Sequence, residues 1–172
     1  MSTVRSILES IETKLKLASD KGFVNEVEKA GSRMITALKL GKKILIAGNG
    51  GSAAEAQHFA AELAGQFIHQ RKGLPVIALT TNPSITTAIG NDFGYEHIFS
   101  RQIEALGKKG DILIVFSTSG KSKNIIEAMY QAKLRGIDVI DMPRIKGTTQ
   151  EIQENQLHLT HEICKQVKKY FK

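Results

Sequence analysis

Lys43-Ile-Leu-Ile-Ala47 runs straight into Gly48-Asn-Gly-Gly-Ser52 and then Ala53. A short apolar run that stops at glycines and gives way to helical periodicity reads as a buried strand, a tight turn and a helix. The unit recurs. Leu74–Leu79, Asp111–Phe116 and Ile137–Ile140 read as three more strands, and Ala53 to about Gln66, Tyr95–Leu106 and Ser122–Arg135 as helices between them. Thr148–Phe171 closes the chain as a long C-terminal helix. Strand alternating with helix predicts an α/β protein, a three-layer αβα sandwich around a central parallel sheet. Upstream, Val4–Ala18 carries Val4, Ile7, Leu8, Ile11 and Leu15 on one helical face, and a second helix spans Phe23–Leu40 and stops at Gly41, a C′ glycine. These two N-terminal helices, residues 1–41, stand outside the alternation. They are expected to cover the sheet or make a subunit interface, with residues 43–172 as the α/β core of a single domain, 1–172.

Length and composition bound the function. The chain has 172 residues, 41% hydrophobic and 24% charged, enough for one self-sufficient core. Its longest apolar run, Ile112–Phe116, is too short to cross a bilayer. Glu9, Glu12, Lys14 and Lys16 interrupt any N-terminal signal core, so a cytoplasmic location and no membrane partner are expected. The single Cys164 excludes an internal disulfide and a cysteine-built metal cage. The net charge of +7 invites a nucleic-acid reading. The excess is spread out, however: residues 1–100 hold 11 basic and 9 acidic side chains, residues 101–172 hold 13 and 8. Its densest piece (Lys165, Lys168, Lys169, Lys172) suits a helix C-terminus, and tryptophan is absent. No nucleic-acid partner is expected, and an anionic small molecule fits better.

Ligands of parallel α/β sheets bind beyond the carboxyl ends of the strands. After the first strand, Gly48-Asn49-Gly50-Gly51-Ser52 offers close backbone approach and the free N–H groups of a helix start. It also matches the dinucleotide pattern, but the second strand ends Thr80-Thr81-Asn82, without the acidic residue a ribose needs. After the third strand comes Ser117-Thr118-Ser119-Gly120-Lys121-Ser122. A P-loop would need glycine at Val115, so that reading fails. Four hydroxyls leading into a helix N-terminus predict a phosphate cradle, since one suffices for capping. Between them, Asn91-Asp92-Phe93-Gly94 reads as a loop before the next helix, with Asp92 either an N-cap or a ligand contact. Finally, His58 and Glu62 are four apart and share a helix face. Gln153 and His161 are eight apart on the last helix and share a broad side, and either His158 or His161 is the inward histidine. A surface His–Glu pair and a metal or acid–base cluster both fit this pattern.

Five ordered motifs together resemble the sugar isomerase (SIS) domain family, and within it the phosphoheptose isomerases. They are Gly48-Asn-Gly-Gly-Ser52, His58-x-x-x-Glu62, Gly90-Asn-Asp-Phe-Gly94, Ser117-Thr-Ser-Gly-x-Ser122, and Ile152-Gln-Glu154 followed by His161. The resemblance implies a flavodoxin-like fold and a cytoplasmic aldose–ketose isomerase acting on sedoheptulose 7-phosphate through an enediol intermediate, in the supply of nucleotide-activated heptose for bacterial surface polysaccharide. It implies that Ser52, Ser117, Thr118, Ser119 and Ser122 hold the substrate phosphate, that Asn49, Gly50, Gly51, Asn91 and Asp92 line the sugar, and that Glu62 and Gln153 also touch it. It implies Glu62 and His161 as catalytic base and acid, a zinc ion on His58, Glu62, Gln153 and His161, and a homotetramer with its sites between subunits. A non-catalytic paralogue that binds the replication initiator DnaA keeps the fold but lacks the glutamate and the last histidine; this chain has both. An isomerase of another sugar phosphate is the second alternative.

The sequence departs from the family in two places. After Ile140 relatives continue with a Gly-rich turn and another strand, whereas Asp141-Met142-Pro143 leads almost directly to the last helix. That leaves the strand count and the approach of Gln153 open. Gln150 stands where many relatives carry an acidic residue.

Overall fold

The computed structural model describes residues 2–171. Helix α1 (Thr3–Ser19) and helix α2 (Lys21–Lys39) come first, α2 ending at Leu40 with Gly41 in the left-handed region (φ 69°), as the glycine signal predicts. The strands are β1 (Ile44–Gly48), β2 (Val76–Ala78), β3 (Ile112–Phe116) and β4 (Asp138–Asp141). Helix α3 (Gly51–Ala64) follows β1, α4 (Pro83–Phe93) and α5 (Ser100–Leu106) lie between β2 and β3, α6 (Lys123–Leu134) follows β3, and α7 (Thr149–Lys168) closes the chain.

All pairings are parallel, in the order β2-β1-β3-β4. Alternation along the strands builds two cores, one on each face. Ile44, Ile46, Ile112, Ile114 and Phe116 point toward α2, α3 and α7, where they meet Met34, Phe59, Leu63, Ile163 and Val167. Leu45, Ala47, Leu113 and Val115 point the other way, to Ile103 of α5 and Ile125, Ala128 and Ala132 of α6. Burial on both faces is why β1 and β3 are continuous apolar runs. At their entrance Asp111 pins the strands together, accepting from the backbone N–H of Lys43 at 3.0 Å and of Lys108 at 2.7 Å. Strand order reverses direction between β1 and β3, so the crevice at their carboxyl ends is the switch point where such sheets take ligands.

Three sequence expectations change. The segment before Tyr95 is not a loop: Asn82 caps α4, accepting from Ile85 N–H at 3.0 Å, and Pro83 occupies its first turn. Asn91 and Asp92 therefore sit in the last turn of a helix, and Asp92 is no N-cap. The expected helix Tyr95–Leu106 is a 3₁₀ turn (Tyr95–His97) followed by the short α5. The last helix stops at Lys168, before Phe171.

Among the described residues the sheet has four strands, and no strand follows β4. Two side chains manage the consequences. Arg33 of α2 lies along the open edge of β4, donating to the carboxylate of Asp138 and, through Nη2, to the carbonyl of Val139 at 2.7 Å. A charged side chain bonded along an edge strand discourages further strand pairing. Gln156 of α7 ties down the short link, donating to the carbonyls of Met142 (3.2 Å) and Pro143 (3.3 Å).

Candidate active site

Two helices lie side by side over one face of the sheet. Near the start of α3, Gly51 approaches Gln153 of α7 so closely that a Cβ at this glycine would stand 2.5 Å from Gln153 Nε2. Further along, His58 Nε2 lies 2.9 Å from His161 Nε2. The pairs 51/153 and 58/161 are seven and eight residues apart, so the helices run in the same direction in near register. Glycine at position 51 permits that approach.

The register assembles a cluster. His58 Nε2 lies 3.5 Å from Glu62 Oε1, and one ligand atom each from His58, Glu62 and His161 fall within 4.8 Å of one another. All three are half-buried. The Phe67 ring lies nearly parallel to the His161 ring, with centroids 6.1 Å apart at 15°. Arg71 donates from Nη2 to the main-chain carbonyl of Glu62 at 2.9 Å, anchoring the turn that carries the carboxylate. Burial pushes the neighbouring Cys164 thiol up to about 12, with the charge of Glu62 adding to the effect; the sulfur is buried beneath the cluster side chains. His161 is thus the inward histidine of the pair considered from sequence; His158 is exposed, 3.9 Å from Glu162.

The donor set suits a divalent cation. Two imidazoles and a carboxylate are zinc-type ligands, and atoms bound tetrahedrally at about 2.0–2.1 Å stand about 3.3 Å apart. The observed 2.9 and 3.5 Å bracket that value. Gln153 sits two turns before His161 on α7, with its amide against Gly51.

The two loops at the switch point are joined to each other. Asn49 and Asn124 form a reciprocal amide pair at 2.9 and 2.8 Å, and Tyr95 Oη donates to Asn49 Oδ1 at 3.2 Å. The side chain expected to line a sugar is thereby committed to holding the glycine loop against the first turn of α6. In the second loop Ser117 Oγ accepts from Gly120 N–H at 3.0 Å and Ser119 Oγ from Lys121 N–H at 3.1 Å. Ser122 is the N-cap of α6, yet its hydroxyl makes no capping bond, and Gly50 gives α3 no side-chain cap either. Two helices thus begin in one crevice with free N–H groups, beside the hydroxyls of Ser117, Thr118, Ser119 and Ser122, while Ser52 is buried in the first turn of α3. Asn91 and Asp92 are exposed and bonded to each other (2.8 Å). Gln150 is exposed and donates to Glu154 at 2.9 Å.

Comparison with known proteins agrees with this architecture. The SIS domain family model matches residues 3–142, ending where the link to α7 begins. A phosphoheptose isomerase of Burkholderia pseudomallei is 43% identical, covering 92% of this chain and 89% of its own length. One from Campylobacter concisus is 45% identical, covering 87% and 88%. Among solved structures, phosphoheptose isomerase GmhA from Neisseria gonorrhoeae superposes with a TM-score of 0.89 at 38% identity, over 96% of both chains. A phosphoheptose isomerase from Francisella tularensis superposes with a TM-score of 0.87 at 30% identity.

One buried acid was not anticipated. Glu55, on the stripe of α3 between Gly51 and His58, is 7% exposed, and neither carboxyl oxygen has a hydrogen-bond partner. Burial raises its pKa to about 7, with the Ser52 side chain a smaller, opposing influence. A raised folded-state pKa stabilises the protein fully below the unfolded value of 4.5, and that contribution is lost as pH rises through about 7. We therefore expect the stability of the wild type relative to Glu55→Gln to fall by up to about 3 kcal/mol between pH 5 and pH 8, taking about 1.4 kcal/mol per unit. Urea denaturation at fixed protein concentration measures this; a difference that does not change with pH would refute the assignment.

Proposed function

The chain belongs to the SIS domain family, and we propose that it acts as the phosphoheptose isomerases among its relatives do, interconverting D-sedoheptulose 7-phosphate and D-glycero-D-manno-heptose 7-phosphate. The observation that carries this reading is the meeting of His58, Glu62 and His161 in one cluster on α3 and α7. A paralogue that only binds DnaA is not favoured, because Glu62 and His161 are both present and both in the cluster.

The chemistry follows from the residue types. In our reading the phosphate rests against Ser52, Ser117, Thr118, Ser119 and Ser122 and the N-termini of α3 and α6, and binding there fixes the reacting end. Helix rise places His58 about 10 Å along α3 from Gly51, a separation that suits an extended sugar phosphate. Glu62 takes a proton from C1 while the C2 carbonyl oxygen gains one from His161, giving the enediol. The proton then returns to C2 as the O1 hydroxyl gives up its own to the imidazole, leaving a carbonyl at C1. Gly50, Gly51, Asn91, Asp92 and Gln153 line the sugar in this scheme, and Asn49 acts through the loop it holds. His58, Glu62 and His161, with Gln153 adjacent, are the residues that would hold zinc. A zinc ion bound there supplies Lewis-acid stabilisation of the negative charge developing on the substrate oxygens. The product feeds heptose biosynthesis in the cytoplasm, toward nucleotide-activated heptose for surface polysaccharide.

We also propose a homotetramer. No residue of α1 is buried, and Val4, Ile7, Leu8, Ile11 and Leu15 form an apolar stripe between 49% and 68% exposed. A contiguous stripe of this kind marks an interaction surface. Light scattering should report a tetramer for the wild type and smaller species for a Leu8→Glu, Ile11→Glu double variant of unchanged helicity; a wild-type monomer, or an intact tetramer in the variant, would contradict this.

Isomerisation itself is tested by a coupled assay on sedoheptulose 7-phosphate with zinc supplied. Wild-type protein should form the aldose phosphate, and Glu62→Gln should lower kcat by about 100-fold or more while phosphosugar binding persists. No conversion by the assembled wild type would overturn the reading, and near-normal turnover by Glu62→Gln would overturn the base assignment.

A further inference from the structure

The short link between β4 and α7 does more than join them. Pairing along β4 ends where Met142 N–H donates to the carbonyl of Val115 at 3.0 Å. Two residues later the chain turns Arg144 back over the neighbouring serine loop. Its Nη1 donates to Asp141 Oδ1 at 2.9 Å and to the Ser117 carbonyl at 3.2 Å. The guanidinium lies over Gly120, where a Cβ would meet Cζ at 3.5 Å and Nη2 at 3.6 Å; this glycine has φ 66°. Among the described residues neither Nη2 nor Nε of Arg144 has an acceptor.

A pair such as Arg144–Asp141, about one-third exposed on each side, contributes little to stability. Its geometric effect is larger: Asp141 and the Ser117 carbonyl hold one nitrogen and leave the other edge of the fork open beside the loop. That loop supplies neutral hydroxyls and the partial positive charge of a helix start, whereas a sugar phosphate carries about −1.5 to −2 at neutral pH. A guanidinium edge matches phosphate oxygens in both charge and spacing. Lys121 and Lys123 are exposed and lack such anchors.

Resting on the reading that this loop holds the substrate phosphate, we propose that Arg144 is a phosphate-binding residue, donating from Nη2 and Nε to the anion seated at Ser117–Ser122. The shortened link places it there, so the charge is a feature of this chain's own geometry. Specificity for the phosphorylated over the free sugar then rests partly on one cation.

The experiment compares wild type, Arg144→Gln and Arg144→Lys in the isomerase assay, with inorganic phosphate as a competitive inhibitor. We expect Arg144→Gln to raise KM and the phosphate inhibition constant together by roughly 10- to 100-fold, the effect of losing a charge-assisted contact, with a much smaller change in kcat. Arg144→Lys should recover part of the loss, and added salt should weaken phosphate inhibition more steeply in the wild type than in Arg144→Gln. Inhibition by phosphate within twofold of wild type in Arg144→Gln would overturn the proposal. So would a fall in kcat and melting temperature with the inhibition constant unchanged, which marks a structural pin. Wild-type protein that neither turns over nor responds to phosphate would overturn the reading of the loop, and this proposal with it.

Discussion

The close approach of Gly51 to Gln153 sets the geometry of the site. Because position 51 carries no Cβ, the start of α3 can lie against α7 with the Gln153 amide where a side chain would otherwise stand. Two parallel helices in contact at one end stay level along their length, at equal rise per residue. That is why His58 and His161, 103 residues apart in the chain, meet at 2.9 Å, and why Glu62, one turn further along α3, closes the cluster. The core under them serves the same end. Phe59, next to His58, is fully buried and packs edge-on against Phe116 of β3, so the helix has little freedom to roll.

A second constraint couples the two halves of the crevice. The glycine loop follows β1 and the serine loop follows β3, neighbouring strands whose helices leave on opposite faces of the sheet. The Asn49–Asn124 pair bridges them with two hydrogen bonds, and Tyr95 adds a third contact from beyond α4. The serine loop, the glycine loop and α3, which carries Glu62, are therefore one mechanical unit, and a ligand spanning both loops meets a surface already organised. Preorganisation of this kind favours binding and catalysis because little ordering remains to be done on association.

Much of this was legible in the sequence for physical reasons. Doubly buried strands are uniformly apolar, so Ile44–Gly48 and Ile112–Phe116 were unmistakable, and the glycine and serine runs marked their carboxyl ends. The spacing of His58 and Glu62 gave a shared face because helix geometry is local. Other features were hidden because they depend on tertiary contact. Asn82-Pro83 with Ile85, Ala88 and Ile89 did carry a helix signal for α4, but the glycines and polar residues at its far end read as a loop. Spacing alone did not separate His161 from His158; the packing of α7 on α3 selects the inward ring, and it is the one the family resemblance implied. Asn124, Glu55 and Arg144 carry no local signal of their surroundings, because the amide pair with Asn49, the burial on α3 and the place over the serine loop all arise from contacts across the fold. The shortened region after Ile140 was visible as a departure, whereas its results, an arginine along the open edge of β4 and another over the serine loop, required the fold.

In the proposed mechanism a half-buried carboxylate and imidazole, held together by α3 and α7, move a proton between C1 and C2 of the substrate. Glu62 retains 22% and His58 41% of side-chain exposure, so protons at the cluster can exchange with water. Conversion of sedoheptulose 7-phosphate in deuterium oxide, followed by proton and deuterium magnetic resonance of the product, tests this directly. Deuterium should enter at C2 of the aldose during turnover. Product formed with C2 carrying only hydrogen from C1, at every stage of the reaction, would indicate direct hydride transfer and contradict the account.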